Sequence, residues 1–424
     1  MMNFTQYETM TKCIIPNGVT LTKTDFNGAF SSMGNLITAQ IPNSITNISN
    51  TYSYCYNLTD SPICSDNVVD MSRAYINCWN LKGSPVCGEN VVNMHGAYTQ
   101  CHNITGSPVC GENVRDMSNA YYNCVNLTGS PVCGDNVVDM SYAYCGCANL
   151  TGSFVFGNNV TNVSGAYHGC TNLIGSPIVF SNKITSIADL YFQCYNLTGS
   201  PVCGDNIISM DSTYGHCSNL TGSPVCGENV VYMSGAYRNC RKLTGSPVCG
   251  NKVTDMGGAY QNCINLTGSP VCGENVVDMY STYENCTNLT GSPVCGQSVE
   301  KMTNAYSNCT KLTGAPVCGQ SVTNMSYAYY NCKNLTGNAY LYSPNVSNVR
   351  NCFNGRNTSN MLNIYAVAGS TTMSRLLYTN TRSLVGKSIS WTNDTVNNRY
   401  YNTAQNIYIY PVADVAAARS ANGD

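Results

Sequence analysis

The sequence predicts a repeat solenoid in which each turn contributes a short parallel strand and a short helical segment. Three observations carry this. A cysteine recurs at 55, 78, 101, 124, 147, 170, 194, 217, 240, 263, 286, 309 and 332, every step being 23 residues except the 24 between Cys170 and Cys194. Tyr, Met and Leu recur in register with it, 31 Tyr and 16 Met in all. Charged residues make up only 10% of the chain, against about 25% in an ordinary soluble domain, so the recurring apolar residues must supply the core. A fixed period of this length is the mark of a repeat architecture.

One unit, Leu127 to Leu150, shows how each position is read. Val137, Met140, Tyr144 and Cys147 fall at i, i+3, i+7 and i+10 with Ala143 alongside, the spacing of one helical face. Ser141 reads as its N-cap. Leu127 and the run Pro131-Val132-Cys133 read as an extended strand, with Gly129 and Gly134 where the chain turns. Such a unit cannot bury its apolar face alone; stacking about 4.8 Å apart buries it between neighbours. Tyr then forms one column, Met another (with Ile48, Val163 and Ile187 substituting), and Asn57, Asn80, Asn103, Asn126, Asn149 and Asn172 begin a third suited to amide hydrogen bonds.

The pattern resembles the BspA-like (Treponema-type) leucine-rich repeat, whose Ala-Phe-x-x-Cys-x-x-Leu stands here as Ala120-Tyr121-x-x-Cys124-x-x-Leu127, with Tyr for Phe. The resemblance covers residues 26–337 and implies a right-handed leucine-rich-repeat-like stack. Residues 1–25 read as an N-terminal docking or cap segment, and 338–424 as a β-rich cap or an oligomerisation domain, alternatives the sequence leaves open. In that last segment 361–368 reads as a strand, Ser370 to Leu377 as a capped helix, Ile389-Ser390-Trp391 as a strand and Tyr400 to Val412, alternating Ile and Tyr, as another. With its ending Ala413-Asp414-Val415-Ala416-Ala417-Ala418-Arg419, the segment resembles the trailing module of repeat-containing tail or fibre proteins of gut bacteriophages.

Function is constrained mostly by exclusion. The net charge of -2 shows no footprint for nucleic acid. No run of 18–20 apolar residues is present to insert in a membrane, and residues 1–20 do not read as a secretory signal. Of the 26 Cys, thirteen precede the Leu column and ten follow Pro-Val or its equivalent. Phe156 and Phe180 interrupt the second series while the first continues. This independent loss argues for free thiols acting as small buried hydrophobes rather than a disulfide ladder. Paired C-x₂-C motifs do not occur, which disfavours zinc, and His102, His168 and His216 read as surface bystanders. Glu112, Asp135 and Glu228, with Asp116, Asp139 and Asp278, read as solvated turn carboxylates, neither a calcium column nor a catalytic constellation. No cofactor, metal or enzyme activity is expected.

Two departures from the repeat mark candidate contacts. Phe154 replaces Pro, and Phe156 and Phe180 stand where the repeat has Cys, beside the one-residue insertion, forming either an exposed apolar strip or a local repacking of the core. Tyr56, Trp79 and His102 occupy one variable position in three successive units, an aromatic surface suited to a sugar or a partner protein. The expectation is a non-enzymatic phage virion protein contacting other virion proteins and a host surface glycan or protein; a BspA-like bacterial surface adhesin is the alternative.

Overall fold

The computed structural model describes residues 9–19, 21, 23–152, 156–177 and 182–424 of the 424. By compactness the chain divides into two units, residues 1–207 with 216–218 and residues 208–215 with 219–424.

Unit 1 opens with two parallel strands, β1 (Lys12–Ile14) and β2 (Thr38–Gln40), Lys12 facing Thr38. Thereafter its repeats stack through single parallel bridges that run Asp25, Asn47, Asp70, Asn93, Asp116, Asp139, Asn162. The backbone between bridges has a two-part rule, clearest in Met140–Cys147. Met140, Tyr142, Tyr144 and Gly146 donate their N–H groups to Asn162, Ser164, Ala166 and His168 of the following repeat, at 2.7–3.0 Å, while Ala143, Cys145 and Cys147 close back on residues three earlier.

Where a helical face was expected, the structure therefore has consecutive β-turns. The reason lies in φ: Tyr142 (53°) and Gly146 (75°) are left-handed, and equivalent residues are left-handed in repeat after repeat. A left-handed residue every four positions prevents an α-helix and turns alternate donors along the stack. The i, i+3, i+7 spacing survives because β-turns share the three-residue closure of a helix. Ser141 does not act as the cap either. Asp139 Oδ1 accepts from the Ser141 N–H (2.8 Å) and from Ser141 Oγ (2.7 Å), an Asx turn.

The core columns are those read from the sequence. Val137, Met140, Ala143, Tyr144, Cys147 and Leu150 are fully buried. The tyrosine rings of unit 1 stack from Phe30 through Tyr52 to Tyr191 at 5.0–6.0 Å between centroids.

Unit 2 repeats the design, with bridges from Ser209 and Tyr232 to Asn324 and Asn348 and a ring stack from Tyr214 to Tyr329 and Phe353 at 5.4–5.5 Å. It ends in a six-stranded sheet of order β3-β4-β5-β8-β7-β6. The strands are β3 (Val317–Cys318), β4 (Gly337–Leu341), β5 (Leu362–Val367), β6 (Thr392–Asp394), β7 (Arg399–Asn402) and β8 (Ile407–Val412). β3, β4, β5 and β8 are parallel neighbours; β8, β7 and β6 are antiparallel. Helix α1 (Thr371–Leu376) is capped by Ser370, which accepts from the Met373 N–H, and α2 (Val415–Ala421) by Asp414.

Two expectations shift here. Ile389-Ser390-Trp391 is no strand, the strand there being the three residues that follow, Thr392–Asp394, and the alternating stretch from Tyr400 to Val412 is two strands, because a turn at 403–406 folds it back on itself. Arg356 holds this region together from within: its guanidinium donates to the carbonyls of Asn357, Asn360, Gln405 and Asn406.

Pro131-Val132-Cys133 is no strand, and of the equivalent runs among the described residues only Val317–Cys318 is one. The tyrosine hydroxyl explains why. Tyr144 Oη donates to the Val132 carbonyl (2.6 Å) and accepts from the Val132 N–H (3.2 Å). The same clamp joins Tyr75 to Ile63, Tyr98 to Val86, Tyr121 to Val109, Tyr260 to Val248 and Tyr283 to Val271. It satisfies the backbone groups that a strand ladder would use. Toward β3 the clamp gives way: Tyr306 keeps only the bond to the Val294 carbonyl (2.9 Å), and Tyr329 Oη pairs with Cys318 Sγ (3.2 Å) while Val317 joins the sheet. Clamp and ladder are alternatives for one stretch of backbone, and this gives Tyr a role that Phe cannot fill.

Candidate functional site: an aromatic surface and the thiol columns

Tyr56, Trp79 and His102 follow the column cysteines of three successive repeats in unit 1. The position lies just outside the core, so its occupant projects outward while the cysteine before it is buried. The structure brings the three together: Tyr56 to Trp79 at 4.5 Å between ring centroids, tilted 41°, and Trp79 to His102 at 6.5 Å, nearly parallel at 12°. Tyr54 meets Tyr56 edge-on at 6.3 Å. Tyr56 is 37% exposed, Trp79 45% and Tyr54 42%, and His102 Nε2 is fixed by Gln100 Oε1 at 2.7 Å. At 4.5 Å no sugar ring fits between Tyr56 and Trp79, so a ligand would lie across their outer edges. The amide of Asn103 bonds to Asn80 beside them (3.3 Å), which puts hydrogen-bonding groups along an apolar stripe.

The phenylalanine cluster is only partly visible. Phe154 and Phe180 lie outside the described residues. Phe156 is half-buried and its ring packs on Tyr167 at 5.8 Å, tilted 40°, so this member at least contacts the core.

The two cysteine columns have different surroundings. In unit 1, Cys55 through Cys217 each donate S–H to a carbonyl of the preceding repeat, that of Phe30 for Cys55 and of the column Tyr thereafter, at 2.9–3.1 Å. In unit 2, Cys240 through Cys332 do the same at 2.9–3.0 Å. Burial pushes these thiols up, to about 12 at Cys263 and Cys332, which keeps the donor protonated. The second series sits nearer the surface, except Cys295 and Cys318, which are buried. Cys64, Cys133, Cys272 and Cys295 accept the N–H of a glycine in the next repeat at 3.2–3.3 Å. That glycine is required by close approach: a Cβ on Gly296 would press into the Gly273 carbonyl. All 26 cysteines stand as free thiols.

Titratable groups of unlike kind do approach one another at Cys145, His168 and Asp189 of unit 1. Burial lowers His168, raises Asp189 and, reinforced by the Asp189 charge, pushes Cys145 up to about 11. Each shift favours the neutral form, opposite to the activation of a thiolate nucleophile. His168 packs instead against Phe192 (4.9 Å). Among the described residues no group of three or more His, Cys, Asp or Glu is arranged to hold a metal, and no helix is long and apolar enough to cross a membrane. The carboxylates divide: Glu112, Asp135 and Glu228 are exposed, whereas Asp116, Asp139 and Asp278 are half-buried and accept a backbone N–H two residues on.

Sequence reasoning missed two things. The tyrosine clamp leaves no periodic trace beyond the Tyr itself, since Tyr and Phe pack alike. The charge distribution did leave one: residues 301–393 hold eight Lys and Arg and no Asp or Glu, which the whole-chain sum conceals.

No curated protein matches the chain. Among solved structures, a leucine-rich repeat protein from Bacteroides ovatus ATCC 8483 superposes over 90% of this chain and 92% of its own at 16% identity, TM-score 0.55, a likeness of fold. A leucine rich cell surface protein from Faecalibacterium prausnitzii A2-165 aligns over 78% and 87% at 14% identity, with a TM-score of 0.27 that carries no argument. Residues 300–407 match a family described as a Mycoplasma protein of unknown function, DUF285. None of these is described as a virion component, so the tail-fibre expectation gains no support. Residues 2–105, 140–267 and 234–336 match the BspA type leucine rich repeat region, more than half of the sequence, and the chain belongs to that family.

Proposed function

We propose that the protein acts by binding rather than catalysis, as a surface recognition protein of the BspA kind whose repeats display a side-chain surface to a glycan or protein of another cell. The observation that carries this is the outward aromatic stack of Tyr56, Trp79 and His102 on three successive repeats whose column tyrosines, Tyr52, Tyr75 and Tyr98, are turned inward. Exposed aromatics on consecutive repeats place apolar area at a spacing one extended partner can follow. Supporting it, the thiols are held in the protonated state that suits packing and not nucleophilic attack.

The chain has two tryptophans, and the indole N–H of Trp391 is buried, so a change of fluorescence on ligand addition reports chiefly on Trp79. The test is to titrate the protein with candidate surface polysaccharides and proteins, following that signal, and to measure adhesion to cells in parallel. A Tyr56→Ala/Trp79→Ala variant should lose at least tenfold in affinity and most adhesion with its thermal unfolding unchanged. Undiminished adhesion by that variant would remove the aromatic surface from the recognition site.

A further inference from the structure

The basic stretch 301–393 is the larger part of an asymmetry: the rest of the chain carries twelve Lys and Arg against all 22 acidic residues. Three of the arginines, Arg350, Arg375 and Arg382, line a single cavity of about 370 Å³ in unit 2, together with Ser347, Asn348 and Tyr378.

Each arginine stands on backbone that is tied down. The Arg350 N–H is held by Asn348 Oδ1 (3.1 Å) and its carbonyl receives the Tyr327 N–H (2.9 Å). Arg375 lies in the last turn of α1 with its guanidinium over the Tyr378 ring (5.1 Å) and Nη1 donating to Tyr378 Oη (2.6 Å). The Arg382 N–H is held by Asn380 Oδ1 (2.8 Å), and the carbonyl of the next residue, Ser383, receives the Asn351 N–H (3.1 Å). Among the described residues the guanidinium groups of Arg350 and Arg382 have no hydrogen-bond or ion-pair partner, and the two ion pairs of the structure lie elsewhere, at Lys301–Asp278 and Arg399–Asp394.

No carboxylate later in the chain is free to balance them. Asp394 is taken by Arg399 and Asn397, Asp414 caps α2, and Asp424 receives Tyr340 Oη and Asn338 Nδ2. Arg356 shows the other use of arginine in the same region, with both of its terminal nitrogens donating to backbone carbonyls. Three like charges around one cavity repel, and their planar forks match tetrahedral oxyanions. The volume exceeds that of a lone ion and falls in the range of small-molecule sites, which points to an oxyanion attached to something larger.

We propose that the cavity formed by Arg350, Arg375 and Arg382 binds the phosphate or sulfate groups of an acidic polysaccharide. This site is separate from the aromatic surface and does not depend on it.

The test uses the full chain and fluorescein-labelled dextran sulfate, with neutral dextran, inorganic sulfate and inorganic phosphate as the other arms. Wild type should bind dextran sulfate with an affinity that falls as salt rises and should not bind dextran. The variant R350Q/R382Q should bind at least tenfold more weakly with unchanged circular dichroism and melting temperature. K311Q/K333Q, which removes two exposed charges of the same stretch outside the cavity, should change affinity less than twofold. R382K, keeping the charge without the fork, should fall between wild type and R350Q/R382Q. Equal losses in the two double variants would reduce the effect to general positive charge and overturn the site, as would binding of neutral dextran. Inorganic sulfate binding as tightly as the polymer would overturn the polysaccharide part of the proposal.

Discussion

The two units are built on the same core columns, each within itself, and treat the position before the column cysteine differently. In unit 2 it is asparagine five times running, and the amides form a chain: Asn262 to Asn239 (2.9 Å), Asn285 to Asn262 (2.7 Å), Asn308 to Asn285 (2.9 Å) and Asn331 to Asn308 (2.9 Å). In unit 1 the same position holds Tyr54, Asn77, Gln100, Asn123, Gly146, Gly169, Gln193 and His216, and Gly146 and Gly169 have no side chain with which to continue a ladder. All of these residues have positive φ, between 57° and 75° in unit 1 and 56° and 65° in unit 2. Glycine and asparagine tolerate that conformation at least cost, so the backbone requirement is met in both units, but only unit 2 adds stacked amides. The lesson is that a column facing two neighbours in the core is held fixed by packing, whereas a column at the surface meets its backbone constraint and is otherwise free. Unit 1 uses that freedom at Tyr54, which precedes Cys55, is left-handed at 61° and is 42% exposed.

Four measurements can break or sharpen the contrast. The largest effect should be alkaline unfolding, which tests what the units share. Burial raises the folded-state values of Cys133 to about 11 and of Cys263 and Cys332 to about 12 from an unperturbed 9.0. The unfolded chain therefore loses these protons first, and stability complete below pH 9 should fall as pH rises from 9 to 12. Followed by hydrogen exchange or circular dichroism, both units should lose protection across that window; survival of one unit would show that their cores are not equivalent.

Next in size, Asn285→Ala removes two ladder bonds and puts alanine in a left-handed conformation, a cost of about 2–4 kcal/mol. Asn123→Ala in unit 1 should cost about 1–2 kcal/mol, chiefly the conformational part. Local opening energies from hydrogen exchange on the full chain would separate them, and equal values would break the comparison.

Removing the clamp should act alike in both units. Tyr121→Phe and Tyr260→Phe leave valine backbone groups unpaired at about 1–3 kcal/mol each. Tyr52→Phe should stay within about 0.5 kcal/mol, because the Tyr52 hydroxyl is buried with no hydrogen-bond partner among the described residues. Thermal melts of the three variants check this, and a costly Tyr52→Phe would sink the clamp as the reason for tyrosine.

The smallest change is a gain. Arg73, exposed and left-handed at 52°, should stabilise unit 1 by about 0.5–1 kcal/mol when replaced by glycine, as relief of that strain outweighs the added chain entropy. A loss of stability would show that Arg73 makes contacts worth more than its strain.

Much of this was legible beforehand. Tyr144, Met140, Cys147 and Leu150 were readable as core because a residue that recurs every 23 positions meets its own kind on either side. The grouping of Tyr56, Trp79 and His102 followed from the same register. The turn segment around Tyr142 was not readable, since consecutive β-turns and a helix share their three-residue spacing. Nor was the Arg350, Arg375 and Arg382 cavity, whose members come from a turn, a helix end and a loop with no common period.

The sequence by itself determined the family, the repeat, its core columns and their order, because periodicity converts position in the chain directly into position in the stack. Tertiary structure alone decided what the hydroxyl of each tyrosine does, which backbone donors cross between repeats, and where unbalanced charge gathers. Those depend on distances between groups that no period relates, and hydrogen bonds and ion pairs act only over a few ångströms.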